Sequence, residues 1–182
     1  MFYKLTIKDH VRVPPHLFDK DKNEAIKKTL EDRYLGLTDR ELGTVVAIGK
    51  ISEIGDGVII PGDGAAYYDC TFELYVFKPE LQEVVVGKVV EITEFGAFVN
   101  IGPFDAMVHI SQTMDDIVTF SKSKVLSGKQ TKRTLKIGDK VKARIVAISY
   151  KDVMNPKIGL TMRQPYLGKE EWWIEEEKEN KK

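Results

Sequence analysis

Apolar and polar residues alternate from the first positions of the chain. Tyr3, Leu5, Ile7, Val11 and Val13 are apolar, whereas Lys4, Thr6, Lys8, His10 and Arg12 are polar. A period of two predicts a strand with one buried face. Pro14 and Pro15 end it, because proline supplies no ladder donor. The period then lengthens. From about Asp19 to Leu35 a helix is predicted: Ile26, Leu30 and Tyr34 stand four apart, Asp19 and Asp21 suit its positive end, and Gly36 is placed as its C-terminal cap. Two further strands follow, "GTVVAIGKISEI" and "AAYYDCTFELYVF", the second with Tyr68, Cys70, Phe72, Leu74 and Val76 on one face. The order strand, helix, strand, strand predicts an α+β domain over residues 1–80, an antiparallel sheet with one packed helix.

From Glu83 the strands become short. They are expected at 83–93, 96–101, 104–110, 139–149 and 156–163, broken by Gly96, Gly102, Gly138 and Asn155-Pro156. Five short strands with glycine at the bends predict a five-stranded OB-fold β-barrel over residues 81–168, with Pro79 marking the boundary. Residues 112–136 read as a long exposed insertion between the third and fourth strands, carrying Lys122, Lys124, Lys129, Lys132, Arg133 and Lys136. The charged tail 169–182 contains Trp172 and Trp173. Such side chains need a surface to cover, either on the barrel itself or on a partner.

Composition narrows the class. No run approaches the roughly 20 apolar residues that span a bilayer, and the amino terminus alternates where a secretory signal would be continuously apolar. A cytoplasmic protein is expected. Cys70 is the sole cysteine, and His10, His16 and His109 stand singly, so neither a disulfide nor a zinc site is expected. No paired-carboxylate motif or nucleophile–base pattern appears, so no catalytic residue and no cofactor is assigned. The formal net charge of zero averages unlike parts. Residues 1–80 hold 11 basic and 14 acidic side chains, residues 81–168 hold 13 and 8, and the tail holds 4 and 6. The basic surplus of the second segment meets the electrostatic requirement for phosphate contact, although a lysine run can equally be a solvated surface.

The stretch "EIGDGVIIPGDGAAYYDC" predicts a protruding hairpin turn. It comprises Gly55, Asp56, Gly57, Val58, Ile59, Ile60, Pro61, Gly62, Asp63 and Gly64. It is not a phosphate-cradling loop, because no Gly-Lys-Ser/Thr follows and it leads into a strand. Three adjacent apolar residues at a tip imply burial against the neighbouring barrel or against another protein.

Within the second segment, Gly87-Lys88-Val89, Phe95-Gly96-Ala97-Phe98-Val99, Gly102 and Val108-His109-Ile110-Ser111 resemble the RNA-binding OB barrel first described in a small-subunit ribosomal protein. "GDKVKARIVAIS" and "KIGLTMR" resemble its last two strands. Read from pattern alone, each phenylalanine is either core or a stacking platform. In the family two aromatics and a histidine lie on the RNA face, which implies RNA-binding roles for Phe95, Phe98 and His109. Lys88, Lys157 and the insertion's Lys122, Lys124, Lys129, Lys132 and Arg133 are the accompanying basic candidates. Ser149 stands where the family often has an acid, Lys157 where it has arginine, and Ala106 where a turn glycine is usual. Weak, electrostatic and sequence-tolerant RNA contact is therefore expected.

Together with the opening "MFYKLTIKDHVRVPP" and the glycine-rich tip, the full chain resembles the E-prime family of archaeal RNA polymerase stalk proteins, counterparts of the seventh subunit of eukaryotic RNA polymerase II. The resemblance implies that the first domain is RNP-like and that the protein is a non-catalytic stalk subunit. Members of the family pair with a small helical stalk partner, the F protein in archaea, and dock on the polymerase core through the tip, here residues 55–64. Their barrel binds the emerging single-stranded RNA transcript and supports initiation and elongation. Trp172 and Trp173 become candidates for contact with the stalk partner. The alternative is a stand-alone OB-fold RNA-binding translation factor.

Overall fold

The computed structural model describes residues 1–121, 123–172 and 174, and the chain divides into two units, Met1–Lys78 and Pro79–Lys182. In the first unit, β1 (Phe2–Val13) leads through a short turn into α1 (Lys22–Tyr34), followed by β2 (Thr38–Asp39), β3 (Gly43–Ile59) and β4 (Ala66–Phe77). The strands form an antiparallel RNP-like sheet in the order β1-β4-β3-β2. The alternation read in β1 is the alternation of its two faces: Val11 and Val13 are buried with Cys70, Phe72, Leu74 and Val76 of β4. Helix α1 closes that face by burying Ala25, Ile26 and Leu30. It begins at Lys22, later than expected, because the Asp21 carboxylate accepts from the Asn23 N–H at 3.0 Å and caps the first turn.

The β3–β4 hairpin is not a regular ladder. Thr44 to Ile59 pair with Ala66 to Phe77 through four register shifts, so sixteen residues run against twelve. Each bulge adds local twist and bends the longer strand.

In the second unit, β5 (Val84–Thr93), β6 (Gly96–Asn100) and β7 (Asp105–His109) form an antiparallel meander. Next come β8 (Val118–Ser121), β9 (Val125–Gly128), β10 (Thr134–Leu135), β11 (Lys140–Ser149), β12 (Lys157–Thr161) and β13 (Gly168–Lys169). Strand β12 pairs parallel with β7 and antiparallel with β11, and β11 returns to β5. This ring of pairings is a closed five-strand OB barrel, a geometry that removes free edges. Val89, Ala97, Val99, Ala106, Val108 and Ile145 point into it and are essentially inaccessible.

Two expectations need correction. The segment 112–136 is not a plain exposed loop: β8, β9 and β10 form a small antiparallel sheet in which Leu126 faces Leu135, both fully buried. The Asp116 carboxylate ties its far turn, accepting from the N–H groups of Gln130 and Thr131 at 2.9 and 2.8 Å and from the Thr131 hydroxyl at 2.9 Å. Nor does everything after 168 behave as a tail. Strand β13 pairs with β11, residues 170–172 are helical, and Trp172 is only 4% exposed. Its ring lies beneath the Arg133 guanidinium at 5.8 Å, and Arg133 donates to its carbonyl at 3.3 Å. Trp172 thus covers its own unit, and little of its ring is left for a stalk partner. Trp173 lies outside the described residues.

Leu126→Ala removes a fully buried side chain from the small sheet and should destabilise it by about 2–5 kcal/mol. Amide hydrogen exchange across β8–β10 would accelerate; unchanged exchange there would show that the insertion has no core of its own.

Candidate nucleic-acid interface and hairpin tip

Strand alternation decides which barrel residues face outward. Because Ala97 and Val99 are sealed inside, the intervening Phe98 must point out, and it is half-buried there. It lies between Glu91 of β5 and Met107 of β7 in the ladder. The next outward pair is Gly96 opposite His109. Gly96 has φ +150°, and a Cβ on it would fall 2.0 Å from the Val108 carbonyl oxygen, so only glycine lets β6 approach β7 this closely. Phe95, at the bend leading into β6, is 63% exposed. The outer face of β6 and β7 therefore offers Phe98 and Met107, with exposed His109 at its end and Phe95 at the adjoining bend.

The histidine is oriented locally. Its Nδ1 accepts from the Ser111 N–H at 3.3 Å and lies 2.9 Å from the Ser111 hydroxyl. In the neutral ring that assigns the proton to Nε2, which becomes the donor available to a base or phosphate. Charges around the face are mixed. Lys88 is exposed opposite Asn100, which donates to Asp105 at 2.8 Å, while Lys157 is exposed opposite Ser149. Exposed Glu91 and Asp105 share the face. Such a surface could stack bases, but it offers few cations to phosphates.

The insertion's basic residues divide. Lys124, Lys129 and Lys132 are exposed, Arg133 is turned to Trp172, and Lys122 lies outside the described residues. Met107 joins the face without a sequence motif to announce it, although its place two residues before His109 gives it the same outward parity.

In the first unit the predicted turn is the tip of the β3–β4 hairpin, and Val58, Ile59 and Ile60 are 60%, 64% and 47% exposed. Gly62 and Gly64 carry φ of +93° and +71°, with open space where a Cβ would stand, so their need is conformational. The tip is braced from behind. Arg12 of β1 grips the Asp63 carboxylate in a fork, Nε at 3.0 Å and Nη2 at 2.6 Å, and the Tyr67 hydroxyl donates to the same carboxylate at 2.5 Å. These two donors, Arg12 foremost, hold the Asp63 carboxyl down at about 2. Asp63 is thus a structural anchor of the loop, whereas Asp56 stays exposed.

Comparison with known proteins assigns this arrangement. The model described as "SHS2 domain found in N terminus of Rpb7p/Rpc25p/MJ0397" matches residues 8–64, and that of the S1 RNA binding domain matches residues 78–153. The Rpo7 subunit of DNA-directed RNA polymerase from Saccharolobus solfataricus is 38% identical over 174 residues, covering 94% of this chain and 97% of that one. The chain belongs to the Rpo7 family. Rpo7 from Sulfolobus acidocaldarius is likewise 38% identical over 173 residues, covering 94% of each chain. RNA polymerase III subunit RPC8 from Bos taurus is 25% identical over 159 residues, covering 84% of this chain and 78% of that one. The OB barrel of this Rpo7-family chain is thus an S1 domain, and its first unit is the SHS2 domain. Among the described residues no cluster of three or more His, Cys, Asp or Glu is placed to hold a metal ion, and no helix is long and apolar enough to cross a membrane.

The Asp63 brace has a pH signature. A depressed carboxyl contributes stability above its ordinary value of 3.8 and loses it as pH falls towards about 2. The tip should therefore remain ordered through mildly acidic pH and loosen only over that lower window. In Arg12→Ala the Asp63 titration, followed by carboxyl NMR shifts, should move up towards 3.8; an unmoved titration would show that the fork does not form.

Proposed function

We propose that this chain is a non-catalytic stalk subunit of a cytoplasmic DNA-dependent RNA polymerase. It pairs with a small helical stalk partner, docks on the polymerase core through the 55–64 tip, and holds emerging single-stranded RNA on the outer face of its S1 barrel. In this role it supports initiation and elongation, and the nucleotidyl-transfer chemistry belongs to other chains. The observation that carries the docking assignment is the tip itself: three consecutive apolar side chains stand 47–64% exposed on a hairpin braced by Arg12, Asp63 and Tyr67. A solvated surface gains nothing from such a cluster, whereas an interface does. The RNA assignment is supported by the S1 match and by the outward placement of Phe95, Phe98 and His109. Lys88, Lys157, Lys124, Lys129 and Lys132 supply the electrostatic share.

Ile59→Asp or Ile60→Asp should release the protein from core polymerase while leaving its thermal unfolding unchanged. Undiminished co-purification with the core would remove the docking assignment and favour a stand-alone RNA-binding factor. Phe98→Ala should weaken single-stranded RNA binding by about 1–3 kcal/mol, the typical contribution of one stacked base. His109→Ala should weaken it as well, and affinity should fall as salt rises. Wild-type RNA affinity in both variants would mean that the face is not the platform.

A further inference from the structure

The grooves on the two sides of the hairpin tip are rimmed by charged residues of different sign. Alternation along β3 sends Ile59 to the helix-bearing face of the sheet and Val58 to the opposite face, which Ile60 joins past the strand end. On the helix side Ile59 borders a groove of about 300 Å³ shared with Leu17, Phe18 and Tyr68, rimmed by Lys20 and Lys22. Leu17 is its buried floor, and Phe18 is 47% exposed on its wall. Lys20 is bridged to Glu24 at 3.0 Å. Lys22 instead rests 3.2 Å from the Gly55 carbonyl oxygen and 4.9 Å from the centre of the Tyr68 ring, both uncharged groups. On the opposite side a groove of about 570 Å³ is walled by Val58, Ile60 and Tyr67 and rimmed by Asp56 and Asp69, the latter hydrogen-bonded to His10.

We propose that the tip is a two-sided wedge. Its receiving cleft on the polymerase core carries an apolar wall with a carboxylate against the Ile59–Phe18 side, and an apolar wall with Lys or Arg against the Val58–Ile60 side. This rests on the docking assignment above and specifies the chemistry of the surface that accepts the tip. Apolar insertion supplies the affinity, as buried anchors do in most interfaces. The opposed charges fix orientation, because a wedge entered the wrong way round would set like charges against each other.

Charge exchange on the full-length protein tests this, with binding to core polymerase stripped of this chain as the readout. Lys22→Glu and Asp56→Lys, each placing the wrong sign on one side, should weaken binding by roughly tenfold. The double variant has the net charge of the wild type but both sides inverted, and it should bind about a hundredfold more weakly. Single variants within twofold of wild type, or a double variant restored to wild-type affinity, would overturn the wedge. Ile59→Asp and Ile60→Asp separate the two levels. If they also bind normally, the tip does not dock at all; if they alone fail, it docks without reading charge. Lys22→Gln, which drops the charge but keeps the stem, should fall between wild type and Lys22→Glu; equal loss in both would mean that Lys22 only supports Gly55.

Discussion

Side-chain alternation along strands, locked by what must be buried, governs both candidate surfaces of this protein. In the barrel, sealing Ala97 and Val99 inside leaves Phe98 no direction but outward, and the same rule turns Met107 outward between buried Ala106 and Val108, with His109 outward next to Val108. In the hairpin, the rule parts Ile59 from Val58 and Ile60. A slip of one residue in either ladder would exchange inner and outer sets wholesale. The burial of the inner set is therefore what specifies the outer one.

The two units secure their register differently. The barrel does so by closure, with β12 joining β7 to β11. The hairpin cannot close, and its longer strand accommodates four extra residues through bulges. What fixes its end is polar: the Arg12 fork, the Tyr67 hydroxyl and the carboxylate of Asp63 tie the turn to β1 and β4. Exposed ion pairs ordinarily contribute little to stability. This one is bidentate and shared by a third group, and its consequence is positional: it points an apolar cluster into solvent and keeps it there.

Much of this architecture is legible in the chain. The barrel strands announce themselves because glycine or Asn-Pro marks their bends, and the first strand because its period of two is broken from Tyr3 to Val13 only at Asp9. The helix start is harder to place, since Asp19 and Asp21 are equal caps by residue type and only backbone geometry selects Asp21. The β8–β10 sheet is hidden from sequence. Its two core leucines, Leu126 and Leu135, are separated by a polar, basic stretch, and each of its strands is too short to show a period. Arg133 and Trp172 are opaque for a related reason. Their contact spans 39 positions, and no local pattern marks a cation destined for an aromatic ring rather than a phosphate. The tip's protrusion is evident from its glycine-rich turn, but the contribution of Phe18 and Lys22 to one side of it requires the helix to be placed against the sheet.

Glu91 and Asp105, on the same outer face as Phe98 and Met107, have a further effect on the proposed RNA path. A platform densely lined with cations would grip each phosphate and resist the strand's advance. Carboxylates beside the stacking residues lower that grip without removing the stacking, which is indifferent to base identity. On that proposed path the face would act as a low-friction guide: each nucleotide would be held briefly and handed on, and a moving transcript would be steered without being braked.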